Sequence, residues 1–432
     1  MSLGGKREFA LIRGHSRLFF NAMPRPPRKF HSVPFDYHEE IELTIDSLSN
    51  LGQGVGRTNG DWVVFVPFSL PGERVRARVY RNAPNYSEAD LMEVLEPSPE
   101  RVEPFCRLFG QCGGCQYQHL SYDAQLVWKR QQVEEVLQHL ADLSFPVNPV
   151  IASPRQDHYR SKITPHFPKP RQGKIESIGF LLNGRGQQII DVPQCPIASE
   201  AINERLPKLR KEVHANAADF KKGVTLLLRE AADGRICTEG FDVCDAEVDG
   251  IRFEFPAGEF FQNNPHILPA FTTYVAKQAS SDGAFDYLVD AYCGSGLFCL
   301  TASKHFKEAA GIEISEAAID WARRNAEQNE ITNCKFQAGD AHAIFDTVRD
   351  DFDPTRTAVI IDPPRKGSTP EFLDQLMTFG PARVVYVSCN PATQMRDLKH
   401  LAPAYRLIDV QPFDLFPQTR HLECVVTLEK IV

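Results

Sequence analysis

Cys389 stands in "VVYVSCNPAT", where a run of β-branched and aromatic residues ends and Asn390-Pro391 turns the backbone. A free cysteine there often only fills apolar space. A helix starting at Pro391, however, would aim its positive N-terminal end near the sulfur, which favours the nucleophilic thiolate. Asp362 ends another apolar run, "TAVIID", and two prolines follow it. A carboxylate in that setting is costly without a polar partner, so a ligand in a crevice is its natural company. Arg365 is placed to pair with it or to reach a phosphate. Glu423 opens the last strand-like run, "LECVVTLE". One thiol and two carboxylates at strand ends suit nucleophilic and acid–base chemistry.

A second group of residues suits a nucleoside. Gly294 and Gly296 in "VDAYCGSGLF" allow a tight turn and a close approach of a helix N-terminus to a ligand. The dinucleotide fingerprint would need a glycine where Cys299 stands, which counts against NAD. Glu313, at the end of a second strand, suits the two hydroxyls of a ribose. Asp340, after a third, suits an adenine amino group. The plainer reading is a surface Glu and a helix-capping Asp. Nucleoside without pyrophosphate is what S-adenosylmethionine presents. A methyl donor beside a thiol implies a reaction: thiolate addition to carbon 6 of a uracil makes carbon 5 nucleophilic, and a base then removes the carbon 5 proton. The base must lie in a loop or be flipped out of its stack. A 5-methylcytosine transferase shares the thiol attack, and an RNA-binding or iron–sulfur redox protein on an inactive methyltransferase fold is the non-enzymatic alternative.

Cys106, Cys112 and Cys115 put three thiols within ten residues around Gly113-Gly114. Thiols so grouped usually bind metal, and Cys195 in the Pro-flanked "DVPQCPIA" is the best fourth ligand. Four thiolates suit zinc or an iron–sulfur cluster, and spacing does not choose between them.

The elements that must position these residues follow from pattern. At 432 residues two or three domains are expected. The 42% hydrophobic content supports a sizeable core, and no apolar run is long enough to span a membrane. The net charge of −8 argues against RNA binding over the whole surface and leaves room for local basic patches. Eleven scattered cysteines fit a reducing, cytoplasmic setting better than a disulfide scaffold. The first 32 residues carry seven Lys/Arg against Glu8 alone, in the manner of a transit peptide, a basic arm or an artificial extension. Five short strand-like runs between Glu39 and Glu96 predict a small β-barrel. Arg74, Arg76 and Arg78 share one face of its "RVRARVYR" strand, with Arg81 near the end; this is a solvated face or an RNA contact. A helix is predicted over "SYDAQLVWKRQQVEEVLQHLAD", with Val133, Val136, Leu137 and Leu140 on one stripe. Strands then predominate to Phe255, and from Gly258 strands and helices alternate as in a doubly wound α/β domain whose strand C-termini line one crevice.

Together "SCNPAT", "DPPRKG", "FFQNN", "YCGSG" and "HLEC" resemble the RNA uracil-5-methyltransferases that use S-adenosylmethionine and make 5-methyluridine in ribosomal or transfer RNA. The likeness covers nearly everything after the first 35 residues. It implies a basic tail over 1–35, an OB-like TRAM barrel over 36–98, a central α+β domain with the four-cysteine site over 99–257, and a class I (Rossmann-like) methyltransferase domain over 258–432. It implies Cys389 as nucleophile and Glu423 as base, with Gln262, Tyr292, Glu313, Asp340 and Asp362 lining the cofactor pocket. It departs from the bacterial pattern at Leu297, where Asn is usual, which puts one cofactor hydrogen bond in doubt. The ribosomal members carry a [4Fe–4S] cluster at a matching cysteine spacing and many transfer-RNA members lack it. The resemblance therefore implies that cluster, with zinc as the alternative, and 23S ribosomal RNA ahead of transfer RNA. A monomer without membrane attachment is expected.

Overall fold

The structure, a computed structural model, describes residues 30–431 except 59, 185, 340–343, 346, 347 and 349. It divides into two compact units, one running to residue 103 with 119–121, the other comprising 104–118 and everything from 122.

In the first unit, β1 (Glu40–Leu48), β2 (Gln53–Thr58), β3 (Trp62–Pro67), β4 (Arg74–Asn82) and β5 (Tyr86–Glu96) close a barrel in the order β1-β2-β3-β5-β4. Alternation drives closure: Leu43, Ile45, Val64, Val66, Val75, Ala77 and Val79 fill the interior, and polar neighbours face out. Arg74, Arg76 and Arg78 do share the outer face. Each meets acids across the strands: Arg74 pairs with Glu42 at 2.7 Å and Glu96 at 2.9 Å, Arg76 with Glu93 at 2.8 Å and Glu42 at 3.2 Å, and Arg78 with Asp90 at 3.4 Å. Arg81 pairs with Glu88 at 3.0 Å. The solvated-face reading is the one this geometry supports.

The second unit opens with α1 (Tyr122–Leu140). The expected stripe supplies only two of the five residues that α1 buries. Val133 and Leu137 are in the core, Leu140 is exposed, and Gln125, Lys129 and Gln132 are buried as well, each with hydrogen-bonding partners. Short strands follow: β6 (Lys162–Ile163), β7 (His166–Phe167), β8 (Gly179–Leu181) and β9 (Ile189–Asp191). After α2 (Glu200–Ala215) come β10 (Val224–Thr225), β11 (Leu228–Glu230) and β12 (Ile236–Cys237). They form two small sheets, β10-β7-β8-β9 and β12-β11-β6. The hairpin β13 (Val243–Val248) and β14 (Ile251–Pro256) leads into the alternating part.

That part runs α3 (Leu268–Ser280), β15 (Tyr287–Ala291), α4 (Leu297–Ala302), β16 (Glu308–Glu313), α5 (Glu316–Gln328), β17 (Cys334–Ala338), β18 (Thr357–Ile361), α6 (Pro370–Phe379), β19 (Arg383–Ser388), α7 (Pro391–Leu401), β20 (Tyr405–Phe413) and β21 (Glu423–Lys430). Among the described residues seven strands form one sheet, β17-β16-β15-β18-β19-β21-β20, with β21 antiparallel to both neighbours. Both faces are covered. Leu288, Ile360 and Val385 pack on one side with α3 and α4, while Val289, Ile361 and Tyr386 pack on the other with α1, α6 and α7. Burial on two sides is why these strands read as unbroken apolar runs. Chain order reverses between β15 and β18, and that reversal opens a crevice at the strand C-termini.

Candidate active site

The crevice is the mouth of a cavity of about 1060 Å³, lined by residues at the C-terminal ends of β15, β16, β17, β18 and β19. After β15 the backbone turns through Tyr292 (φ 69°), Gly294 (φ 52°) and Gly296 (φ 93°) into α4. A Cβ added at Gly294 would have nothing within 4 Å, so this backbone faces open space where a ligand can lie against it. Beneath the turn, Asp290 is wholly buried and accepts from the Cys299 N–H at 2.8 Å, pinning the start of α4. Burial, with Asp362 and Glu313 nearby, raises its pKa well above the usual carboxylate range. Asp290 escapes the sequence reading, although the argument applied to Asp362 (an acid inside an apolar strand) finds it too.

Glu313 lines the cavity and takes weak bonds from the Gly294 N–H at 3.4 Å and the Ser315 N–H at 3.2 Å. Gly339 and Trp321 lie on the same wall. Asp340, expected beside them, lies outside the described residues, as does most of the helix expected after it. Leu297, the departure from the bacterial pattern, is the first residue of α4.

Asp362 emerges from β18 into the cavity, and burial pushes its pKa up to about 7. The Pro363-Pro364-Arg365 turn that follows is held from the next strand end. Asn390 does not cap α7 with its side chain but donates its amide to the Arg365 carbonyl at 2.9 Å, and Thr393 donates to the same oxygen at 3.2 Å. The Arg365 side chain lies near enough to the Cys389 sulfur to lower its pKa. Glu423 reaches the same wall from β21, which pairs with β19 in the register Ser388 to Cys424; one further step brings Cys389 level with Glu423.

The helix-end argument for a Cys389 thiolate does not survive this environment. Burial first, then the carboxylates of Glu423 and Asp362, push the thiol up to about 11, and Arg365 only partly opposes them. Glu423 is itself raised well above the ordinary range by burial and by Asp362. Raised pKa values at Asp362, Cys389 and Glu423 around one cavity suit a cationic ligand there.

Gln262 is nearly buried and lines the cavity from the "GEFFQNN" loop. Arg229, 2% exposed, reaches under that loop and donates to the carbonyls of Ala257 at 3.1 Å, Glu259 at 2.6 Å and Phe261 at 2.9 Å. It also lies over the Phe255 ring at 4.8 Å. Lys162 adds bonds to the Gly258 and Glu259 carbonyls at 2.9 and 3.1 Å. Neither residue stands out in sequence except as a cation bordering an apolar run.

Cys106, Cys112, Cys115 and Cys195 line the far part of the same cavity. The cysteine turn is fastened to β8, with the Gly113 N–H donating to the Leu181 carbonyl at 2.9 Å. Asn203 of α2 grips Cys195, accepting from its N–H at 2.8 Å and donating to its carbonyl at 2.9 Å. Burial raises the thiols of Cys112, Cys115 and Cys195, and the other cysteines of the set raise each of them further; Cys195 reaches about 11. Three partly buried thiols whose ionisation is opposed in this way suit a positively charged group among them. Among the described residues no three His, Cys, Asp or Glu side chains are arranged to hold a metal ion. No helix there is long and apolar enough to cross a membrane.

Comparison with known proteins gives this arrangement its context. The family model described as tRNA (uracil-5-)methyltransferase matches residues 235–431, and that of the TRAM domain matches residues 38–92. The chain is 42% identical to the tRNA (uracil(54)-C(5))-methyltransferase of Schizosaccharomyces pombe, across 93% of this chain and 80% of that protein. It is 33% identical to the enzyme of the same name from Saccharomyces cerevisiae, across 92% and 75%. Among solved structures, the Pyrococcus abyssi tRNA (uracil-54, C5)-methyltransferase in complex with S-adenosyl-L-homocysteine superposes with a TM-score of 0.69 at 26% identity, covering 90% of this chain and all of that one. On these grounds the chain belongs to the tRNA (uracil-5-)methyltransferase family, and it is an S-adenosylmethionine-dependent enzyme that methylates carbon 5 of uracil in RNA.

Proposed function

We propose that the substrate is transfer RNA, at a uridine equivalent to the position 54 named for the relatives. The observation that carries this reading is the 42% identity to the S. pombe enzyme over nearly the whole chain, barrel included. The motif resemblance ranks 23S ribosomal RNA first; these relatives favour the second choice.

Cys389 adds to carbon 6 of the uracil, and the sulfur–carbon bond pushes electrons to carbon 5. The bound S-adenosylmethionine supplies an electrophilic methyl group and a sulfonium charge. Once carbon 5 carries the methyl group, Glu423, level with Cys389, takes the proton from carbon 5, the carbon 5–carbon 6 double bond re-forms, and the sulfur–carbon bond breaks with its electrons returning to sulfur as a thiolate. Glu313, Asp362, Gln262 and Tyr292 hold the cofactor along the strand ends, with Asp340 expected beside them. Arg365, near the sulfur, eases its ionisation. The four cysteines would hold a [4Fe–4S] cluster, a reading supported by their place together in the lining of one cavity. Its role would be structural or RNA-positioning, since no step of the reaction moves an electron.

The test offers the purified enzyme a tRNA transcript and a 23S fragment, and maps 5-methyluridine by mass. Methylation of the tRNA alone is expected; methylation of the fragment alone would overturn the assignment. With 5-fluorouracil-substituted RNA, an adduct should form at Cys389 and be absent from Cys389→Ala. Glu423→Gln should accumulate adduct on ordinary RNA without releasing label from carbon 5.

A further inference from the structure

The barrel presents four arginines against five carboxylates, Glu42, Glu88, Asp90, Glu93 and Glu96, so its outer face offers RNA little net positive charge. With a chain charge of −8, attraction for a polyanion must be local. The unneutralised cations stand elsewhere. Lys169, Arg171, Lys174, Lys221 and Lys222 are exposed, and among the described residues their side chains make no ion pair or hydrogen bond.

Topology gathers these five. β7 and β10 run antiparallel with Phe167 opposite Val224, so the chain leaving β7 and the chain entering β10 meet at one end of the sheet. A Cβ at Gly223 would lie 2.7 Å from the Phe167 carbonyl oxygen and 3.3 Å from the Lys169 nitrogen, and one at Gly173 would lie 3.8 Å from the Ala218 side chain. Arg171 and Lys174 exchange backbone hydrogen bonds at 2.9 Å, which folds the intervening turn back on itself. Two acids are close in sequence, Glu176 and Asp219, both exposed and neither paired with these cations. The same strand also reaches the site: His166 lines the cavity and is held by the Thr225 hydroxyl at 2.8 Å. Three extended residues, about 10 Å, separate it from Lys169.

We propose that this end of the β10-β7-β8-β9 sheet is a docking surface for the RNA phosphate backbone, holding phosphates that flank the uridine in the cavity. The proposal rests on the reading of structured RNA, tRNA in particular, as substrate. Side chains on two short, opposed segments grip backbone charge without reading sequence, so they set affinity and register rather than the choice of base.

The test is a salt titration of binding to an unmodified tRNA transcript. It compares the wild type with a variant carrying Lys169→Gln, Arg171→Gln, Lys174→Gln, Lys221→Gln and Lys222→Gln. The variant should bind about tenfold or more weakly near physiological salt, and its log–log salt slope should be shallower by about 2–4. Its kcat at saturating RNA, S-adenosylhomocysteine affinity and melting temperature should stay as in the wild type. A matched Arg74→Gln, Arg76→Gln, Arg78→Gln, Arg81→Gln variant should change the slope less. Should the fivefold change impair folding, the pair Lys221→Gln/Lys222→Gln should still flatten the slope by about 1–2. An unchanged slope in a well-folded variant overturns the proposal. A wild type that binds the transcript but forms no 5-methyluridine would instead overturn the substrate reading, leaving the slopes to decide the surface.

Discussion

Lys129 and Asp414 face each other at 2.6 Å with neither side chain exposed to solvent. Lys129 also donates to the Phe416 carbonyl at 3.3 Å, and Asp414 accepts from the Phe416 N–H at 3.2 Å, so the pair ties α1 to the loop that delivers Glu423. Burial lowers the Lys129 pKa and Asp414 opposes that shift. Lys129→Met should strand a buried carboxylate and cost about 3–5 kcal/mol. Lys129→Met/Asp414→Asn should recover part of the loss. Thermal unfolding of the three proteins checks the order, and a single variant melting like the wild type contradicts it.

Arg229 satisfies three carbonyls of the loop that carries Gln262. Arg229→Met leaves those carbonyls buried without a donor and frees the loop to shift. Because misplacement by about 1 Å can cost 100-fold, kcat/KM should fall by about tenfold or more. Arg229→Lys, with one donor group in place of a fork, should fall between. Steady-state kinetics on RNA and cofactor read this directly; wild-type values for Arg229→Met would remove the loop's dependence on the guanidinium.

A thiol held at about 11 reacts through a thiolate fraction that grows tenfold per pH unit below that value. In the cofactor-free enzyme, alkylation of Cys389, followed by peptide mass, should therefore climb steadily from neutral to mildly alkaline pH without levelling. Glu423→Gln removes a carboxylate that holds the thiol pKa up, so the curve should move to lower pH while turnover is lost. Arg365→Gln should move it the other way. A plateau in the wild type by about pH 8.5, the ordinary cysteine value, would contradict the burial argument.

Cys195 is the cysteine that joins the turn from more than seventy residues away. Cys195→Ser should lower bound iron and bleachable visible absorbance in anaerobically purified protein, and lower the melting temperature with them. Stoichiometric zinc in the wild type, without iron, would replace the cluster by a single ion.

The crevice is legible in the sequence because each of its residues breaks a local rule: Cys389, Asp362 and Glu423 are reactive groups at the ends of buried apolar strands. The central strands β15, β18 and β19 are legible as apolar runs because both their faces are covered. What is not legible depends on partners far along the chain. Asp414 lies 285 residues from Lys129, and the carbonyls that need Arg229 lie 28 to 32 residues beyond it. The spacing of Arg74, Arg76 and Arg78 identifies one face correctly, but register places the acids opposite them. At Cys389 the helix end is a local signal, and it is outweighed by carboxylates arriving from β18 and β21.

Because β19 and β21 are zipped together residue by residue up to Ser388 and Cys424, the spacing between sulfur and carboxyl is set by the peptide ladder and not by loops. Deleting or adding one amino acid within either strand would turn one of the two groups to the sheet's opposite side.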